Sequence, residues 1–140
     1  MTDTYNLARF VEAQERVYDA VTAELGRGQK VSHWMWFIFP QLKELGRSER
    51  ALFYGISSLD EARAYLDHPV LGDRLRECTG IINKVEGRSA YEIFGPTDEM
   101  KLRSCLTLFS KISAPSVFNE VLEKYFGGTP DPETLKILAR

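Results

Sequence analysis

The chain has 140 residues, 44% hydrophobic and 27% charged, which is the composition of one ordinary globular domain. Eighteen basic and 20 acidic residues leave a net charge of −2 and a pI of about 5.7, so no phosphate-tracking surface and no nucleic-acid partner is expected. Two cysteines, Cys78 and Cys105, are too few for a disulfide framework or a zinc site; no metal and no cofactor is expected, and a reduced, cytoplasmic setting is the default.

The first residues lack the basic start and apolar stretch of a signal peptide. The longest apolar run, 34–40, falls far short of the roughly 20 residues needed to cross a bilayer, so no membrane partner is expected.

Leu7, Phe10, Val11, Val17, Tyr18, Val21 and Leu25 recur at three-, four- and seven-residue spacing, which predicts one helix over about 7–25. Asn6 reads as its N-cap and Gly26 as its stop. Ser32 then reads as the cap of a short helix starting at His33. Trp34, Met35, Trp36, Phe37, Ile38 and Phe39 leave that helix no polar face, so it is expected to be central and buried on all sides. Pro40 ends it.

Ser58 and Glu61 have capping-box spacing and announce a helix to about residue 67. Pro69 suits a first helical turn, with His68 as cap, 70–85 as helix body and Gly87 as its end. Ser89 and Glu92 form a second box-like pair before Phe94-Gly95, predicting a single short turn. The segment 98–112 carries Leu102, Cys105, Leu106, Phe109 and Ile112 on one face. Pro115 restarts the chain, and Phe118, Val121, Leu122 and Tyr125 define a helix ended by Gly127-Gly128. A last short helix follows Asp131-Pro132 to Leu138.

No segment alternates with period two between turn pairs, and no repeat of 20–50 residues is present. The predicted fold is therefore all-α, a single compact orthogonal bundle of about six to eight helices with residues 1–140 in one domain, expected as a monomer or weak homodimer.

Few residues are placed to carry chemistry. Both indole N–H groups, of Trp34 and Trp36, need partners if buried, and His33 and Gln41 bracket the aromatic run as polar groups. Two readings stand side by side. The run is either plain core, or the wall of a concave pocket edged by His33, Trp34, Trp36 and Gln41 that suits a planar ligand. Burial of Trp36 implies a cost of about 3–5 kcal/mol for Trp36→Ala.

Gln14 lies on the apolar stripe of the first helix and is either an internal tether or a pocket wall. Asp98, Lys101, Ser104 and Thr107 follow helical steps on one face. They read as an ion pair, or as an anion-accepting site near a helix N-terminus with Lys101 supplying positive charge. Tyr54 and Asp60 lie near a bend within reach of a pocket. Both cysteines sit among apolar helical positions and read as inert. There is no Gly-rich phosphate loop, no HExxH motif and no nucleophile elbow.

The strings Arg9-Phe10-Val11-x-Ala13-Gln14, Ser32-His33-Trp34-Met35-Trp36-Phe37-Ile38-Phe39-Pro40-Gln41 and Leu45-Gly46-x-Ser48 are followed by Glu61-Ala62-x-x-Tyr65-Leu66 and His68-Pro69-Val70-Leu71-Gly72-x-Arg74-Leu75. Phe94-Gly95-x-x-Asp98, Lys101-Leu102-x-Ser104 and Thr107-Leu108-Phe109 complete the set. Together they span almost the whole chain and resemble the bacterial family catalogued as domain of unknown function 1810. The resemblance implies a small all-helical protein of unestablished activity. Members are sometimes labelled calpastatin, a disordered calpain inhibitor, which the regular helix punctuation contradicts. Leu106 stands where relatives often carry methionine, with no consequence for the reading.

The sequence thus points to a helical domain that binds a small planar or anionic molecule. Turnover of that molecule stays open; a hydrolytic version would use His33 as acid or base on a nucleotide- or sugar-like compound, since an imidazole changes protonation near neutrality. The alternative is a protein-interaction module without catalytic activity, in which the aromatic run is core and an exposed helix face meets the partner.

Overall fold

A computed structural model describes residues 3–140. Among these residues the chain forms helices α1 (Ala8–Glu15), α2 (Tyr18–Gly26), α3 (Met35–Ile38), α4 (Glu49–Phe53), α5 (Leu59–Asp67), α6 (Leu71–Lys84), α7 (Ala90–Phe94), α8 (Pro96–Ser110), α9 (Val117–Phe126) and α10 (Pro132–Leu138), with a 3-10 turn at Lys43–Leu45. An isolated parallel bridge joins Leu42 to Ile56. The fold is all-α, as the sequence predicts. No helix among the described residues is long and apolar enough to cross a membrane.

The expected helix over 7–25 is two helices. Val17 leaves helical geometry at φ −126°, ψ −3°, although no glycine or proline marks the place. On one side of the break Gln14 is held by α3 and α5; on the other, the Tyr18 ring lies under the Arg74 guanidinium of α6. Nor is Asn6 the cap. It adopts a left-handed φ of 53°, and the Asp3 carboxylate accepts the N–H groups of Leu7 and Ala8 at 2.7 and 2.9 Å. Those two bonds hold the Asp3 carboxyl below its ordinary pKa.

Downstream, the helix signals are realised closely. Ser58 Oγ accepts the Glu61 N–H at 3.1 Å, and Ser89 with Glu92 forms a reciprocal capping box. His68 caps α6 through its ring: Nδ1 accepts the N–H groups of Val70 and Leu71 at 3.1 and 3.3 Å. Gly127, at φ 61°, closes α9 in the left-handed conformation.

The central helix is α8 rather than the aromatic run. Every residue from Ser104 to Ser110 is buried, and α8 packs against α5, α7, α9 and α10. Its small polar residues tolerate burial because their hydroxyls donate back to their own helix: Ser104 to Met100 O at 3.0 Å, Thr107 to Arg103 O and Ser110 to Thr107 O, both at 2.8 Å. The second organising helix, α6, packs on α2, α3, α5 and α9. The aromatic run forms only the single turn of α3, with Phe39 turned to φ −123°, ψ 72° ahead of Pro40. Trp34, Met35, Ile38 and Phe39 are buried, whereas Trp36 and Phe37 are half-buried, so the segment lies at the boundary of the core and not at its centre.

Candidate functional site

The segment between α3 and α5 builds one wall of a groove. The Leu42–Ile56 bridge, with Lys43 N–H donating to Ile56 O at 2.8 Å and Ile56 N–H to Gln41 O at 2.9 Å, fixes both ends of this loop. Gly46 lets the loop lie directly on α4. A Cβ there would sit 2.8 Å from the Ala51 Cβ, closer than packed carbons approach. Ser48 then starts α4 by accepting the Ala51 N–H at 3.1 Å.

The groove between this wall, the first half of α8 and the start of α10 has a volume of about 600 Å³. Gln41, Leu45, Ala51, Pro96, Met100 and Lys101 contribute to its surface, with Arg47, Asp131 and Glu133 at the polar positions. At one end Gln41, Ala51 and Lys101 also line a constricted space of about 10 Å³ against Trp36, Phe39 and Tyr54, close to the room one water needs. Two cations lie over the Trp36 ring, Lys101 Nζ at 5.1 Å and the Arg50 guanidinium at 5.2 Å from its centroid.

Charge in this groove is uneven. Asp98 is shared, its Oδ2 2.8 Å from Lys30 Nζ and its Oδ1 3.4 Å from Lys101 Nζ, so two ammonium groups face one carboxylate. Neither Arg47 nor Arg50 has an acidic partner among the described residues. The groove's own acids are already engaged. Asp131 accepts the N–H and hydroxyl of Thr134 at 2.9 and 2.6 Å, and Glu133 pairs with Lys136 at 3.5 Å. Among the charged residues lining the groove, the cations Arg47 and Lys101 come from the loop wall and α8 and the acids Asp131 and Glu133 from the start of α10, so charge is separated across it without a net excess.

Of the residues singled out in the sequence, Trp36, Gln41, Lys101 and Ser104 come together here, with Asp98 behind Lys101. Tyr54 joins them at the constricted end. His33, Trp34, Gln14 and Asp60 do not. His33 is exposed in the loop before α3 and lines neither wall, so the expected acid or base is absent from the groove. Trp34 is fully buried, and its indole partner is Glu24, not His33 or Gln41. Gln14, 1% exposed, uses its amide as a tether: Nε2 donates to Phe37 O at 2.7 Å and to Tyr65 Oη at 3.1 Å, and Oε1 accepts from Arg74 at 3.4 Å. Asp60 stays in solvent beside Arg63.

Three hydroxyls line the groove, those of Ser48, Thr97 and Ser104. Ser48 Oγ is occupied as a helix cap, and the Ser104 hydroxyl donates to Met100 O. No imidazole lines the groove, and its carboxylates, Asp131 and Glu133, bond to Thr134 and Lys136. Both thiols are buried away from it; desolvation pushes Cys78 up to about 12 and Cys105 well above the ordinary thiol range. Among the described residues no three His, Cys, Asp or Glu side chains come together as metal ligands.

A second concavity, about 640 Å³, lies between the N-terminal segment, α1 and α5. Its walls are mostly apolar, with Tyr5, Leu7 and Val11; of its polar residues, Asp3 caps α1 and His68 caps α6.

The family model for protein of unknown function (DUF1810) matches residues 4–138, nearly the whole chain. The chain belongs to the DUF1810 family. It is similar over 99% of both chains to the crystal structure of the conserved hypothetical protein Rv1873 from Mycobacterium tuberculosis, with 54% identity and a TM-score of 0.97. No curated protein matches it. At this likeness the DUF1810 chain and the mycobacterial protein share one fold from end to end, and the description of that protein carries no activity across.

Proposed function

We propose that the groove between the Lys43–Phe53 wall and α8 binds a small anionic molecule, with Trp36 and Gln41 at its inner end. The observation that carries this reading is the separation of charge: Lys101, which shares Asp98 with Lys30, and Arg47, which has no acidic partner among the described residues, line the α8 and loop walls, whereas the acids Asp131 and Glu133 lie at the start of α10. A volume of about 600 Å³ suits a small molecule. The reading assigns no turnover, because the groove holds no acid–base pair.

Thermal unfolding in the presence of a panel of organic carboxylates and phosphates tests it. A ligand at 100 times its Kd stabilises by about 2.7 kcal/mol, enough to raise Tm by several degrees. The expected result is a shift for wild type that shrinks in Lys101→Ala and in Arg47→Ala and weakens with added salt. Absence of any anion-dependent shift, or a shift unchanged in both variants, overturns the reading in favour of an interaction module, for which the exposed Leu52 and Phe53 on α4 are the place to look.

A further inference from the structure

Resting on the anion-binding reading of this groove, we infer that its ligand is an amphipathic monoanion: a carboxylate head seated against Lys101 and Gln41, with an apolar body running out over Leu45, Pro96 and Met100. Three observations fix this orientation. Gln41, Ala51 and Lys101 line both the constricted space at Trp36 and the open groove, so an amide and an ammonium stand at the inner end. Leu45, Pro96 and Met100 form the apolar surface of the open part, with Arg47, Asp131 and Glu133 around it. Met100 is 66% exposed, and its unbranched thioether is a side chain that adapts to apolar ligands of varied shape.

The charge at the inner end sets the class of head group. Lys101 is the one charged residue lining the constricted space, and it shares Asp98 with Lys30, so a single ammonium faces the ligand there, enough for one carboxylate and too little for a polyphosphate. Gln41 adds an amide N–H as a neutral donor; its backbone carbonyl is already held by the Ile56 N–H. An anion drawn to Lys101 displaces nothing essential, because Asp98 keeps its shorter contact with Lys30. The acids at the α10 side repel a second negative charge placed farther out.

The test is calorimetric titration with a straight-chain series, butanoate, hexanoate and octanoate, alongside AMP and inorganic phosphate. Each added methylene that leaves water for the groove is expected to tighten binding about two- to fourfold, so octanoate exceeds butanoate by more than tenfold. Met100→Ser, at an exposed position that does not disturb the fold, is expected to flatten that slope, while Lys101→Gln weakens every member equally. A flat series, or AMP binding more tightly than octanoate, overturns the amphipathic assignment and leaves the anion site standing. No binding by any of the five compounds overturns both.

Discussion

The Trp34 indole N–H donates to Glu24 Oε1 at 3.1 Å, joining a fully buried tryptophan to a carboxylate on the preceding helix. The same carboxylate accepts the N–H groups of Val31 and Ser32 at 2.7 and 2.9 Å and the Ser32 hydroxyl at 2.7 Å. A single acidic side chain thereby ties α2 to the loop that leads into α3.

Acid should release that tie. Burial alone would raise the Glu24 pKa, but the Ser32 hydroxyl and N–H, the Val31 N–H and the Trp34 indole stabilise the anion and bring it down to about 2. Because this lies below the ordinary value of 4.5, the group's contribution is complete above pH 4.5 and is lost as pH falls toward 2. The shift corresponds to roughly 3 kcal/mol. Urea unfolding of wild type and Glu24→Gln at pH 7, 4 and 2.5 checks it. The variant is expected to be markedly weaker at pH 7, with the gap narrowing at pH 2.5; a constant gap across the range contradicts the linkage.

The two tryptophans should separate in mutagenesis. Trp34 is fully buried among Met35, Phe39 and the Glu24 network, so Trp34→Ala is expected to cost about 3–5 kcal/mol. Trp36 is half-buried at the groove, which lowers the sequence-based expectation for Trp36→Ala to about 1–2 kcal/mol. Chemical denaturation of the two single variants decides the order. Equal losses would mean that Trp36 is core and that the groove has no aromatic wall.

This contrast also shows what the letters carry. Capping pairs act within four residues, so Ser58–Glu61, Ser89–Glu92 and His68–Pro69 are legible and mark α5, α7 and α6 within a residue or two. Partner choice across the fold is not local. Nothing near Glu24, Glu61 or Gln14 in the chain tells which of their polar atoms meet Trp34, Arg9 or Tyr65, and the break at Val17 has no punctuation of its own. The groove is legible in part. The aromatic run and the Asp98–Lys101 step each stand out alone, but His33 and Trp34 share the run with Trp36 and face elsewhere, because they precede the single turn of α3 and its helical spacing does not govern them. Helix α4 escaped notice, its five residues being too short for a periodic signal.

Arg9 and Glu61 form a buried charge pair, 2.8 Å apart with side chains 9% and 3% exposed. Arg9 also donates to the carbonyls of Asn6, Phe53 and Gly55 at 2.9, 2.8 and 3.1 Å, and to that of Tyr5, while Glu61 accepts the N–H and hydroxyl of Ser57. The pair thus pins the N-terminal segment to the loop between α4 and α5. Removing one member leaves the other charge buried, so Arg9→Met or Glu61→Leu alone is expected to cost about 3–5 kcal/mol. In a double-mutant cycle the combined loss should be smaller than the sum by more than 1 kcal/mol. Strict additivity would mean that the two charges are stabilised separately by their other hydrogen bonds.

Two glycines of α6 offer a paired test of close packing. At Gly72 an added Cβ would lie 2.0 Å from the carbonyl oxygen of Leu66, so this glycine is what lets α6 start directly against the end of α5. Backbone on that side cannot swing away as a flexible side chain would. Gly72→Ala is therefore expected to destabilise by at least 2 kcal/mol, through displacement of the α5–α6 corner. At Gly80, two turns farther along the same helix, an added Cβ meets nothing within 4 Å. There alanine gains helix propensity without a clash, and Gly80→Ala is expected to stabilise by about 0.5–1 kcal/mol. Thermal melts of both variants separate the steric from the intrinsic effect, since the propensity gain is common to both sites. Opposite signs are expected; two stabilised variants would show that the α5–α6 corner relaxes freely and that Gly72 is not required for the packing of these helices.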